Sequence, residues 1–308
     1  MAGTILAVSK VTTPPLVRFD VPSLELTASG SIPVDPAMTA SAVDPSGEVI
    51  AGLVSRNGAV RVFRVDPAGT TEQVGPTLRV DADVRPSIAV TASAVVVADC
   101  RSVAVLDVVR HPRWRDVGTG CSAGISPDGR EVAFSPDGTS IETCSLECAH
   151  RRTLLASGGI DAAADGTEPW RILGPISWGP PGLAFAARSA GETAYFFVDG
   201  SGTVATVARF ATGNSYRVPA FAWQPEGGLL AILDNTGAGG AVRLFDPATG
   251  EQRVIALDPL GLEGLLWSPD GSAVATITSA EALLVVGTDE RWRLRVQTTW
   301  SDLVAWLG

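Results

Sequence analysis

Histidine is nearly missing from this 308-residue chain: only His111 and His150 occur, each beside an arginine. Two histidines on separate parts of the chain cannot supply the three-histidine ligand sets common in catalytic zinc sites. Charge is sparse as well. Asp, Glu, Lys and Arg make up 18% of the residues, against about a quarter in an ordinary globular domain. Basic residues are the scarcer sign, 23 against 33 acidic, for a net charge of −10. An acidic surface repels phosphate backbones, which argues against a nucleic-acid partner. No basic amphipathic segment suggests a membrane surface. Long apolar runs are missing too. The longest uncharged one, Ile172 to Ala187, is interrupted by Gly174, Pro175, Gly179, Pro180, Pro181 and Gly182, so no membrane-spanning helix is expected. The first ten residues lack a positive n-region, and their apolar stretch is too short for a signal peptide. The chain is therefore expected to be cytoplasmic or to have lost an export signal or anchor. There is no Gly-x-Ser-x-Gly elbow, phosphate loop or dinucleotide fingerprint, and no stretch of 12 or more residues carries a helical stripe.

Turns at regular spacing, each led in by an apolar residue, are abundant. Trp178-Gly-Pro-Pro-Gly, Trp223-Gln-Pro-Glu-Gly and Trp267-Ser-Pro-Asp-Gly are the clearest copies. Val43-Asp-Pro-Ser-Gly and Ile125-Ser-Pro-Asp-Gly put a β-branched residue in the tryptophan slot, and Val90 and Trp306 hold it in two degenerate copies. Successive steps are 47, 35, 53, 45, 44 and 39 residues, and 45 more run from Trp306 through the termini to Val43, a mean of 44. Segments such as Ala59–Val65 alternate apolar and polar residues, as half-buried strands do. A 44-residue period built of strands predicts an all-β, seven-bladed β-propeller. It is expected to be a single domain over 1–308. Blades two to seven fall near 38–80, 86–118, 121–156, 174–212, 218–257 and 262–298. Blade one is split between 4–34 and 301–308, with the C-terminal strand pairing into the N-terminal blade so that no strand edge is left open.

The Ser-Pro-Asp-Gly turns at 126–129 and 268–271, with the apolar residue before each, resemble the WD40-like repeats (PD40) of TolB-type propellers and of prolyl-oligopeptidase-type propellers. The resemblance spans the chain. It implies a rigid scaffold for protein contacts, with no hydrolase domain attached. The Gly-His and Trp-Asp signatures of WD40 repeats proper are absent.

The blade map also pairs the four cysteines. Cys100 follows the second strand of its blade and Cys121 opens the next blade, which brings them together on the face conventionally called the top. Cys144 and Cys148 flank one hairpin at the other end. The expected pairing is thus Cys100–Cys121 and Cys144–Cys148, because the alternatives stretch too far for a disulfide. Two disulfides suit an oxidising, extracytoplasmic compartment (secreted, periplasmic or an anchored bacterial ectodomain). Free thiols in a cytosolic protein are the alternative, and a zinc site fits the spacing poorly.

Candidate binding residues come from the top-face loops. The long step between Ile125 and Trp178 places about nine extra residues between blades four and five. That connection carries Asp161, Asp165, Glu168, Trp170 and Arg171, and these do not follow an EF-loop calcium pattern. Arg56, Arg85, Arg101, Arg188 and Asp234 join them from other loops, with Lys10, Asn57, Asn235 and Glu281 as further polar residues. Such a mixed-charge rim suits a protein or peptide partner. No catalytic residue, metal or cofactor is assigned. The expected function is non-enzymatic protein binding. The alternative is a lactonase- or lyase-type propeller enzyme acting at a channel mouth, which fold alone cannot dismiss.

Overall fold

The computed structural model describes every residue except 1–2, 10–15, 22–24, 29–37, 45–48, 56, 66–70, 82, 85, 111, 165–168, 212–219, 226, 235–238, 260, 279–281, 290–292, 298–299 and 308. The first strands are β1 (Gly3–Ser9), β2 (Leu16–Val21) and β3 (Glu25–Ala28). Next come β4 (Met38–Asp44), β5 (Val49–Ser55), β6 (Ala59–Val65), β7 (Thr71–Gln73) and β8 (Leu78–Arg79). A third group is β9 (Ser87–Val90), β10 (Ala94–Ala98), β11 (Val103–Asp107) and β12 (Trp114–Gly118), and a fourth is β13 (Ser122–Ile125), β14 (Glu131–Ser135), β15 (Ile141–Ser145) and β16 (Arg152–Leu155). A short helix, α1 (Gly159–Ala164), precedes β17 (Arg171–Gly179), β18 (Gly182–Arg188), β19 (Glu192–Asp199) and β20 (Val204–Ala211). Then follow β21 (Phe221–Trp223), β22 (Leu230–Asp234), β23 (Gly240–Phe245) and β24 (Gln252–Asp258). The last are β25 (Leu262–Trp267), β26 (Ala273–Thr278), β27 (Ala282–Gly287), β28 (Arg293–Gln297) and β29 (Trp300–Leu307).

Among the described residues these strands form six four-stranded sheets and one of five strands, in which β8 also pairs with β6. Each four-stranded sheet is a run of antiparallel neighbours, and all but one of them join strands consecutive in the chain. The sheet that begins the chain takes its first strand from the other terminus: β29 pairs antiparallel with β1, Thr4 opposite Leu307 and Ile5 opposite Trp306. Two register shifts in that ladder absorb a difference in strand length. Two features depart from the expectations. The fifth strand β8 was not anticipated, and neither was α1 in the long connection before β17.

The chain divides into two compact units, residues 1–36, 65–71 and 220–308, and residues 37–64 and 72–219. Within the second unit successive sheets pack face to face. Val60, Val62, Ile88, Val95 and Leu106 fill one layer, and Val96, Val105, Ala123, Val132 and Phe134 the next. Ile141, Ile172, Ile176, Phe185 and Phe196 fill a third. In the first unit Leu233, Leu244, Leu262, Trp267 and Leu284 form the equivalent layer. Each fully buried large side chain contributes about 1.5–3 kcal/mol of transfer free energy.

The repeated motif is explained by its bonds. Ser126 and Ser268 each donate through Oγ to the aspartate two residues on, Asp128 and Asp270, at 2.6 Å. The same Oγ accepts a backbone N–H from the start of the next strand, Glu131 and Ala273, at 2.9 Å. Gly129 (φ 68°) and Gly271 (φ 66°) close each turn with an N–H bond to the serine carbonyl at 2.8 Å. That left-handed backbone is the reason for glycine at the fourth position. Trp267 donates its indole N–H to Ala222 O at 2.8 Å, and Gln224 reaches Gly271 O at 2.8 Å. The repeat residues thus tie the first strand of one sheet to that of its neighbour. This is packing and strapping, the role expected of the in-register tryptophans.

Close approach of neighbouring sheets in the second unit is sharpest at Gly124. A Cβ there would lie 2.0 Å from Ile176 O. Gly124→Ala is predicted to force the β13 and β17 backbones apart and cost about 1–3 kcal/mol. Gly200→Ala, where a Cβ would meet nothing within 4 Å, should stay within about 0.5 kcal/mol of the parent. Chemical denaturation of the two variants checks this; equal stabilities would refute the close-packing account.

Candidate functional site: a stapled loop rim

In an antiparallel four-stranded sheet, the loop joining the second and third strands and the connection into the first strand lie at the same end. In the second unit the loops of this end are joined to one another across three sheets. The β10–β11 loop carries Asp99, whose Oδ1 accepts the N–H groups of Arg101 (3.0 Å) and Ser102 (2.8 Å) and whose Oδ2 accepts the Asp81 N–H (3.2 Å). Cys100, held at φ 69°, is disulfide-bonded to Cys121 in the connection into β13, and its N–H donates to Gly120 O at 2.9 Å. One of the two expected disulfides is therefore present, and it staples two neighbouring sheets at this rim. Closing a loop of this length contributes on the order of 3 kcal/mol.

The β14–β15 loop continues the rim. Asp137 Oδ1 accepts from Thr139 N–H, Ser140 N–H and Ser140 Oγ, each at 2.8 Å. Thr139 and Ser157 share a hydroxyl bond of 2.7 Å. From the next sheet, Arg171 donates to Asp137 O (2.8 Å) and the Ile172 N–H to Gly138 O (2.7 Å). Partial burial opposes ionisation of Asp137, but the donors of Thr139 and Ser140 outweigh it and hold the carboxyl down to about 2. Asp99 is lowered in the same way, its burial outweighed by bonds from Ser102, Asp81 and Arg101. The rim carboxylates are thus spent on fixing their own loops.

The expected site residues fall into distinct groups. Asp165, Glu168, Arg56 and Arg85 lie outside the described residues, as do Lys10, Asn235 and Glu281. Trp170 was expected at the surface and is instead 2% exposed. It packs edge-to-face on Phe196 with centroids 5.4 Å apart, and the Arg209 guanidinium lies over it at 6.0 Å. Its backbone N–H donates to Asp161 Oδ1 at 2.9 Å, so Asp161 is engaged in fastening the inserted segment. The reason is α1, which turns Ile160 and Ala164 into the core; Arg209 and Thr206 of β20 then bond the carbonyls of Ala164 and Ala163. The described part of the insertion, α1 and Trp170, is packed against the sheet. Asp234, in the other unit, is 4% exposed and ion-paired with Arg243 at 2.7 Å, so it too serves the fold. Asn57 caps its own turn, accepting from the Ala59 N–H.

Arg101, Arg171 and Arg188 remain at the rim. Arg101 is exposed and paired with Asp81 at 2.7 Å. Such a surface pair is worth little by itself. Arg171 and Arg188 are opposite one another in the β17–β18 ladder. Residues directly opposed in an antiparallel pair share a face with Cβ atoms about 4.5–5.5 Å apart, and like charges so placed repel. Arg188 Nε is buried with no hydrogen-bond partner, a defect that costs about 1–3 kcal/mol or more for a charged group. The spacing of Arg171 and Arg188 in the sequence hides this pairing, because the strand register depends on the Pro-Pro turn between them.

The second expected disulfide needs correction. Cys144 and Cys148, on the β15–β16 hairpin at the opposite end, are free thiols with sulfurs 2.6 Å apart. Cys148 sits at φ 55° in the turn and engages Val117 O (3.2 Å), with Arg151 Nη2 at 3.5 Å. Burial pushes the Cys144 thiol up to about 12. Trp114 is half-buried in β12, the edge strand of its sheet, and donates to Pro76 O at 2.7 Å; His111 lies outside the described residues. Among the described residues no group of three or more His, Cys, Asp or Glu could hold a metal ion, and no helix is long and apolar enough to cross a membrane.

No protein-family model matches the sequence, and no curated protein sequence matches it. Solved structures do. A protein of Bacteroides uniformis, provisionally assigned as a 6-phosphogluconolactonase, superposes with a TM-score of 0.65 at 15% identity, over 96% of this chain and 97% of that one. Hydrazine synthase of Kuenenia stuttgartiensis gives 0.59 at 16% identity over 85% and 80%. TolB of Acinetobacter baumannii gives 0.50 at 18% identity over 94% and 78%. At these identities the likeness is one of fold: an all-β architecture of the kind found in propellers.

The depressed rim and turn aspartates set an acid limit. Their folded values lie below the ordinary 3.8, so the stability they give is complete above that value and is lost as pH falls through the folded ones. The melting temperature is predicted to be flat above about pH 5 and to drop from about pH 4 towards pH 2. Asp137→Asn should shallow that drop. A slope unchanged by the substitution would show that the Asp137 turn is not ionically held.

Proposed function

We propose that the chain is a single seven-bladed β-propeller, closed by the pairing of β29 with β1, that acts without catalysis by binding a protein or peptide through this rim in an extracytoplasmic compartment. The observation that carries this reading is the pre-fixed rim: disulfide, aspartate-capped turns and loop-to-loop bonds hold the side chains in place before any partner arrives. Ordering loops on binding costs free energy, and a rim already ordered avoids that cost. The fold likeness to TolB, and a disulfide that would persist in an oxidising environment, support the choice of partner class and compartment. The WD40-like repeat resemblance is consistent with it. Asp165, Glu168, Arg56 and Arg85 belong to the same proposed face by their place in the chain. The second reading is a channel-mouth enzyme acting on a sugar lactone, favoured by the fold likeness to the Bacteroides uniformis protein provisionally assigned as a 6-phosphogluconolactonase.

The test is site-specific photo-crosslinking in cells. A crosslinking residue replaces Arg101 or Gly191, in the rim loops β10–β11 and β18–β19, or Gly200, in the β19–β20 turn at the other end; neither glycine has a neighbour that a Cβ would strike. One and the same protein is expected on the Gly191 and Arg101 positions and absent from Gly200. Adducts at Gly200 alone, or none at the rim, would contradict the reading, and sugar-lactone turnover by the purified chain would replace it with the enzymatic one.

A further inference from the structure

Arg171 and Arg188 carry a problem that the protein alone does not solve. They are the opposed residues that open the β17–β18 ladder at the rim. Arg171 is exposed and spends Nη1 on the Asp137 carbonyl. Arg188 is half-buried, and its Nε–H, out of reach of water, has no acceptor. Neither guanidinium is ion-paired among the described residues. Among the described residues Asp137 accepts from Thr139 and Ser140, and Asp161 from the backbone N–H of Trp170. In a chain of net charge −10, two adjacent arginines with no ion pair among the described residues stand out.

We propose that Arg171 and Arg188 together bind a carboxylate of the partner peptide. This rests on the protein-binding reading above and names the chemistry that the partner must present. A carboxylate has two oxygens and about four lone-pair sites, and guanidinium forks match it in two-pronged fashion. One such group would accept from the Arg188 Nη groups, neutralise the repulsion between the opposed cations, and still leave Arg171 its bond to the Asp137 carbonyl. Arg171 is itself held by that carbonyl, and the Asp137 turn is closed by its own side chain, so Arg171 is positioned before the ligand arrives. The carboxylate can come from an acidic side chain or from a chain terminus; both present the same oxyanion.

The test uses the full chain with 15N-labelled arginine and follows the side-chain Nε–H resonances during titration. One probe is a blocked tripeptide, N-acetyl-Ala-Glu-Ala-amide. A second is N-acetyl-Ala-Gly-Ala with a free C-terminus, and the glutamine form of the first is the control. At least one carboxylate probe is expected to move the Arg188 Nε–H signal saturably, and the control is not; the probe that works identifies the source. Arg171→Gln and Arg188→Gln are each expected to weaken binding at least tenfold. Arg188→Lys, which keeps the charge but loses the fork, should fold and also weaken binding. No saturable shift with either carboxylate probe, or undiminished binding in Arg171→Gln, overturns the proposal. A saturable shift in a protein that shows no crosslinked partner would leave this site standing and remove the protein-binding reading instead.

Discussion

An aspartate that accepts the N–H groups of its own turn is the interaction on which the rest of the rim depends. Asp99 and Asp137 each hold two backbone amides and a serine hydroxyl. Because these loops are closed from within, their outward groups are free to join neighbours. Asp99 reaches the Asp81 N–H, and the Asp137–Gly138 carbonyls receive Arg171 and Ile172. The Cys100–Cys121 bond adds a covalent link in the same row. Without the caps, the staple would connect two floppy segments and would position nothing.

The same chemistry does a different job at the other end of the sheets. In the Ser-Pro-Asp-Gly turns the serine hydroxyl, not the carboxylate alone, bridges to the next strand. That bridge fixes the entry angle of the second strand and allows the first strands of adjacent sheets to be strapped by Trp267 and Gln224. Repetition of a short polar motif therefore specifies sheet spacing, and the apolar residue before it fills the layer between sheets. Motif and function are separable here: the residues that make the chain recognisable are those that build it.

Strand positions were legible because turn residues and alternating apolar residues act locally. The Asp-Pro-Ser-Gly and Ser-Pro-Asp-Gly spacings needed no tertiary information, and the pairing of β29 with β1 follows from an unpaired strand at each terminus. The Cys100–Cys121 contact was legible for the same reason, since loop position in a repeated sheet determines the neighbour. Side-chain roles were less so. Trp170 and Asp234 are polar-tipped or charged residues in loop-like sequence, yet the helix α1 and the Arg243 guanidinium draw them inward. Nothing in Gly159–Ala164 carries a full amphipathic period, because six residues are too few to show one. Cys144 and Cys148 were brought together as expected, with sulfurs 2.6 Å apart, but they are not bonded. The opposed arginines were both in view as separate rim residues, and only strand register reveals that they face one another.

Residue-resolved hydrogen exchange at the rim tests the central claim most directly. If the loops are fixed from within, the amides of Arg101, Ser102, Thr139 and Ser140 exchange at rates close to those of the flanking strands, slowed roughly a hundredfold or more relative to an open peptide. Exchange of these four amides at open-peptide rates, with the strands protected, would show a mobile rim and contradict the account.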